Sequence, residues 1–137
     1  MTSDEQFVDS GYFIAIVNVR DALHARARRL ATGLQRRQVT TDAVLLEVGD
    51  ALARPPLRQF GVALIARIRQ NPNINVVSLT PDLFQRTLAF YESRADKEWG
   101  LTDCVSFVVM HDRGITDALS YDQHFIQAGF RALLRDS

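Results

Sequence analysis

The 137-residue chain carries one cysteine, Cys104, one lysine, Lys97, and a formal net charge of zero. A single cysteine excludes an internal disulfide and a cysteine-based zinc cluster, and it fits a reducing, cytoplasmic setting. Zero net charge gives no long-range field to gather a polyanion. No apolar run reaches the ~20 residues needed to cross a bilayer, so no membrane partner is expected. The opening residues 1–6 are polar and acidic, unlike a secretory leader. The three histidines, His24, His111 and His124, show neither HxxxH nor HxH spacing, which argues against a histidine metal site. Cys104 has no base nearby in sequence and reads as a small core residue.

What is present is ordinary for a globular chain: 47% hydrophobic and 23% charged residues. This length is enough to bury roughly two thirds of the unfolded surface, and one domain over 1–137 is expected. Fifteen arginines stand against the one lysine. Arginine grips phosphate bidentately, but codon bias in a GC-rich genome explains the same preference more simply.

Strand and helix signals alternate along the chain. Phe7-Val8 reads as a short strand, and Tyr12 to Val17 as an apolar helix. Asp21 is suited to cap a helix from Ala22 to about Arg37. Its arginines Arg26, Arg28, Arg29, Arg36 and Arg37 form a basic face, solvated by default and an RNA-phosphate strip as the minority reading. Val39 to Thr41 is a strand. Val44, Leu45, Val48 and Leu52 fall at helical spacing within 42–53. Arg54-Pro55-Pro56 is a turn before a helix over Leu57 to Gln70. Ile74 to Leu79 is a strand, and Thr80-Pro81 opens a helix reaching about Arg94. Thr102 caps a further helix that ends at Arg113-Gly114. Asp117 to Ser120 and Arg131 to Leu134 are the last strands. This order predicts an α/β fold, a parallel sheet of about four to five strands with helices on both faces.

In such a sheet, ligands bind beyond the carboxyl ends of the strands. Asp9 follows the first strand. The helix opening near Thr102 begins at the same edge, carrying Asp103, and the strand over 117–120 returns there with Asp122. Three carboxylates are thereby expected on one rim. Glu47 lies at the flank of its helix, about two turns below, so its reach depends on helix tilt. Taken singly, each aspartate has a structural explanation: Asp9 and Asp122 as caps, Asp103 as a charge favourable to its helix dipole. Taken together they form a set of oxygen ligands suited to Mg²⁺ or Mn²⁺.

Five segments in series resemble the PIN domain in its VapC-like branch: Phe7-Val8-Asp9-Ser10, Asp21-Ala22-Leu23-His24, Thr41 through Glu47, Leu101 through Phe107, and Ser120 through Phe125. The resemblance spans nearly the whole chain. It implies a metal-dependent ribonuclease in which Asp9, Glu47, Asp103 and Asp122 form an acidic quartet. Asp9 and Asp103 would hold the principal Mg²⁺, with Glu47 and Asp122 completing the cluster. Cleavage would leave 5′-phosphate and 3′-hydroxyl ends. Ser106 matches a polar position lining the pocket, and Asp96 an additional acid near the site in some members. Ser120 stands where Thr is common, and its hydroxyl serves equally. The resemblance further implies a homodimer and, for a toxin, an antitoxin partner. Asp4, Glu5 and Gln6 depart from the usual apolar first strand, which is expected to be short. A phospho-accepting receiver would need an acidic pair after the first strand and a lysine near the last, and a haloacid-dehalogenase-type phosphatase would need Asp at position 11. Ser10, Gly11 and the placement of Lys97 meet neither pattern. The alternatives are a PIN domain that binds or processes RNA without a toxin role and a non-enzymatic α/β binding module.

Overall fold

A computed structural model describes residues 4–32 and 36–135. The elements are β1 (Glu5–Val8), α1 (Ser10–Val17), α2 (His24–Ala31), β2 (Arg37–Thr41), α3 (Asp42–Ala51), α4 (Leu57–Gln70), β3 (Ile74–Val77), α5 (Pro81–Ser93), α6 (Leu101–Arg113), β4 (Asp117–Leu119), α7 (Gln123–Gln127) and β5 (Arg131–Ala132). The five strands form one sheet in the order β3-β2-β1-β4-β5, and every pairing is parallel. Parallel neighbours require crossovers, which the helices supply. The crossover direction reverses between β3 and β4. By the right-handed rule, helices before and after that reversal cover opposite faces.

Local chemistry sets the element ends. Thr41 is both the last residue of β2 and the cap of α3, its hydroxyl accepting the Val44 N–H at 3.1 Å. Asp42 in the next position accepts the Leu79 N–H at 3.1 Å, pinning the exit of β3 to that of β2. Thr80 caps α5 with Pro81 following, and Gly114 closes α6 in the left-handed conformation (φ 67°) that favours glycine.

Several boundaries differ from expectation. Helix α2 runs only to Ala31, with Thr32 bonding back to the Arg29 carbonyl. Asp21 accepts the Leu23 N–H at 2.8 Å in a turn ahead of the helix rather than capping it. Arg36 and Arg37 therefore lie off the helix. Arg37 begins β2, and Arg36 reaches Asp117 at 2.8 Å beside the amino end of β4. The cap of α6 is Gly100, one turn ahead of Cys104, so Thr102 sits inside the helix. Strand β1 includes Glu5 and Gln6 despite their polarity. Gln6 is buried, and Glu5 pairs with Arg113 at 2.7 Å.

The core is continuous under the site. Helix α6 is buried from Cys104 through Met110, which allows it to pack on more than one side. Phe107 meets Phe125 edge-on at 5.0 Å and Trp99 at 5.1 Å, while Phe7 of β1 lies 6.3 Å from Phe125. Such edge-to-face pairs add to the burial of their rings. They join β1, α6 and α7, the elements that border the acidic rim.

Candidate active site

From the central strand β1, the chain leads to β2 on one side and β4 on the other, and the gap between the carboxyl ends of β1 and β4 is the switch point of the sheet. Asp9 leaves β1 at this gap. It caps α1, Oδ1 accepting the Ser10 N–H at 2.9 Å, while its own N–H donates to the Leu119 carbonyl at the end of β4. Its second oxygen, Oδ2, accepts the Ser120 hydroxyl at 2.8 Å. Ser120 Oγ in turn accepts the Asp122 N–H at 3.1 Å. Asp122 caps α7, Oδ1 accepting the His124 N–H at 2.9 Å. The His124 ring completes the series, Nδ1 lying 2.9 Å from Asp103 Oδ2 and 3.5 Å from Asp122 Oδ1. A carboxylate only accepts, so Nδ1 carries the proton in this contact.

One run of hydrogen bonds thus links Asp9, Ser120, Asp122, His124 and Asp103. Ligand atoms of Asp103, Asp122 and His124 lie within 4.8 Å of one another. Glu47 of α3 is half-buried and faces the same group. Its carboxyl is raised by burial first, then by the Asp9 charge, with smaller contributions from Asp103 and Asp122, against a lowering hydrogen bond with the Ser10 side chain. Burial also pushes Asp9 up from 3.8 to about 6. The bonds from Ser120 and Ser10 oppose this, and the charges of Asp103 and Asp122 add to it. The physical cause is a carboxylate held out of water beside others of its sign.

Ser106 is buried one turn beyond Asp103, and its hydroxyl donates to the Thr102 carbonyl at 3.2 Å, bracing the turn that carries Asp103. Asp96 is exposed between α5 and α6, with Arg94 at 3.4 Å and Lys97 at 3.7 Å, and its charge is not among those that raise Asp9 or Glu47. Cys104 is buried, and burial and the Asp103 charge raise its thiol to about 11, which suits a core residue. The His24 ring meets the Ala15 carbonyl through Nδ1 at 2.7 Å, and its backbone N–H donates to the Asp21 carbonyl at 2.9 Å.

Sequence reasoning passed over His124. The signal available was its place two residues after a helix-capping aspartate, but α7 is five residues long and too short to show a period.

The donor set fits a hard divalent cation. Four carboxylates converge, two of them held above their ordinary range by burial and mutual repulsion, and a bound cation relieves that repulsion. A parallel α/β sheet with acids gathered at its switch point defines the class: a fold built to hold a ligand, here one matched to oxygen donors, at the strand ends.

Comparison with known proteins narrows the class. The PIN domain family matches residues 7–131. The 23S rRNA-specific endonuclease VapC20 of Mycobacterium tuberculosis is 32% identical over 124 residues, covering 90% of this chain and 94% of that protein. The crystal structure of VapC20, described as a sarcin–ricin loop cleaving toxin, superposes with a TM-score of 0.82 at 31% identity, over 90% of this chain and 95% of the other. The chain belongs to the PIN domain family.

Proposed function

We propose that the protein is a Mg²⁺- or Mn²⁺-dependent endoribonuclease and the toxin of a VapBC-type toxin–antitoxin pair, acting as one domain over residues 1–137 in the cytoplasm. The observation that carries this reading is the convergence of Asp9, Asp103 and Asp122 from three separate elements on one rim. Asp9 and Asp103 would hold the principal ion, and Glu47 and Asp122 would complete the cluster, through water or a second ion. A divalent cation there supplies charge against the phosphodiester and makes an attacking water more acidic.

The chain's own residues do the remaining work. Ser120 donates to Asp9 and receives the Asp122 amide, so one hydroxyl orients both acids. Ser106 supports Asp103 through the first turn of α6. Asp96 pairs with Arg94 and Lys97 in the exposed loop before α6. The basic residues Arg28 and Arg29 on the exposed side of α2 are available to RNA phosphates.

Two partners belong to the same reading. A second copy of the chain is assigned to the apolar patch formed by Leu46 of α3, Phe84 of α5 and Leu101 of α6, which are 66%, 49% and 40% exposed. Leu46, Phe84 and Leu101 line a groove of about 260 Å³ there. Exposed apolar residues grouped in this way favour association. An antitoxin protein is the second partner, masking the nuclease.

The test is incubation of the purified protein with a sarcin–ricin loop RNA and an unrelated hairpin, each with Mn²⁺, Mg²⁺ or chelator. Metal-dependent cutting with 5′-phosphate products is expected. Binding of RNA with no cut under any metal would favour a domain that binds RNA only.

A further inference from the structure

We propose that His124 is a positioning residue of this site, its Nδ1–H aligning the Asp103 carboxylate against Asp122 so that the two acids are set for one divalent cation. The inference rests on the metal-dependent nuclease reading and adds the residue that aligns its acids.

Asp103 differs from the other rim aspartates in where it comes from. Asp9 and Asp122 leave neighbouring parallel strands, and Ser120 joins them directly. Asp103 stands on α6, a separate element, and the His124 ring is what ties it to that pair, 2.9 Å from Asp103 Oδ2 and 3.5 Å from Asp122 Oδ1. The ring hydrogen-bonds Asp103 Oδ2 and lies beside Asp122 Oδ1, the oxygen that accepts the His124 backbone N–H.

Neither capping nor packing needs an imidazole at this position. The cap of α7 is made by the His124 backbone N–H, which any residue but proline supplies. Core contact is made by the next residue, Phe125, which is fully buried, while the His124 side chain is 24% exposed. What the imidazole adds is a donor aimed at Asp103. Hydrogen bonds of this kind to metal-ligating carboxylates fix their orientation, and their loss typically weakens metal binding about 10- to 100-fold.

The experiment titrates Mn²⁺ into the full chain at fixed pH, followed by the free-ion electron paramagnetic resonance signal, for the native protein, His124→Phe and His124→Asn. Phenylalanine keeps the ring and removes the donor. Asparagine places an amide N–H near the Nδ1 position. Circular dichroism in chelator checks that each variant is folded, and His124→Leu replaces His124→Phe should the phenyl ring disturb α7. The expected result is Mn²⁺ binding weakened about 10- to 100-fold in His124→Phe and largely restored in His124→Asn.

Unaltered Mn²⁺ binding in folded His124→Phe overturns the proposal. So does equal loss in both variants together with a preference of the native protein for Ni²⁺ or Zn²⁺, which would make His124 a direct ligand. Native protein that binds Mn²⁺ yet cuts no RNA would defeat the nuclease reading and leave the His124 result standing. Native protein that binds no Mn²⁺ would defeat both.

Discussion

Asp9→Asn offers a test of the site's electrostatics that is independent of RNA. In the folded, metal-free protein, burial and the neighbouring acids raise Asp9 from 3.8 to about 6. A folded pKa above the unfolded one means that the folded state binds the proton more tightly. Stability from this group is therefore greatest at low pH and declines as pH rises from about 4 through 6. A shift of about two units corresponds to about 3 kcal/mol of destabilisation at pH 8. Asparagine keeps the oxygen that accepts the Ser10 N–H, but it turns a donor toward Ser120, which offsets about 1 kcal/mol. The variant should be more stable than the native protein by about 2 kcal/mol at pH 8 in chelator, a rise in Tm of about 6 °C. Below pH 4 the difference should reverse, because the charge penalty is gone and the altered Ser120 contact leaves the variant about 1 kcal/mol less stable. If Asp9 holds the ion as proposed, adding Mn²⁺ should stabilise the native protein more than the variant. Thermal melts across pH 4–8, with and without metal, give the answer. A variant less stable than the native protein at pH 8 in chelator would refute the claim that a desolvated, repelled charge sits at Asp9.

The remaining predictions concern the other parts of the rim and its support. Ser120→Ala removes a hydrogen bond that lowers Asp9, so the Asp9 carboxyl should rise further and the onset of cleavage should move to higher pH, with metal affinity about tenfold weaker; a pH–rate profile unchanged from the native one would contradict this. Phe107→Ala opens a cavity where Trp99, Phe125 and Phe130 meet, and should lower stability by about 3–5 kcal/mol in urea, with or without metal. Cys104→Ala should leave cleavage intact, and the native thiol should resist iodoacetamide at pH 7 until the protein unfolds.

Much of this architecture is legible in the sequence because its signals are local. Thr80-Pro81 marks the start of α5, Arg113-Gly114 the end of α6, and the apolar spacing of Leu57 to Gln70 the whole of α4. The placement of Asp9, Asp103 and Asp122 on one edge follows from alternation of strands and helices alone. What the sequence conceals depends on partners far along the chain. Glu5 and Gln6 look unsuited to a strand until Arg113 is seen beside Glu5, 108 residues away. The orientation of Glu47 toward Asp9 needs the packing angle of α3, which no periodicity encodes. His124 lacks a histidine partner at metal-binding spacing, and its contact with Asp103, 21 residues earlier, exists only once Phe107 and Phe125 have packed α6 against α7.

The most direct test of the central claim is the single-turnover cleavage rate, in Mn²⁺, of an RNA that the native protein cuts, compared between the native protein and Asp103→Asn. The substitution removes charge with little change in volume, so the fold should persist. Losing a rim ligand should remove several kcal/mol of transition-state stabilisation, more than about a hundredfold in rate. A folded Asp103→Asn that cuts at the native rate would contradict the assignment of the acidic rim as the nuclease site.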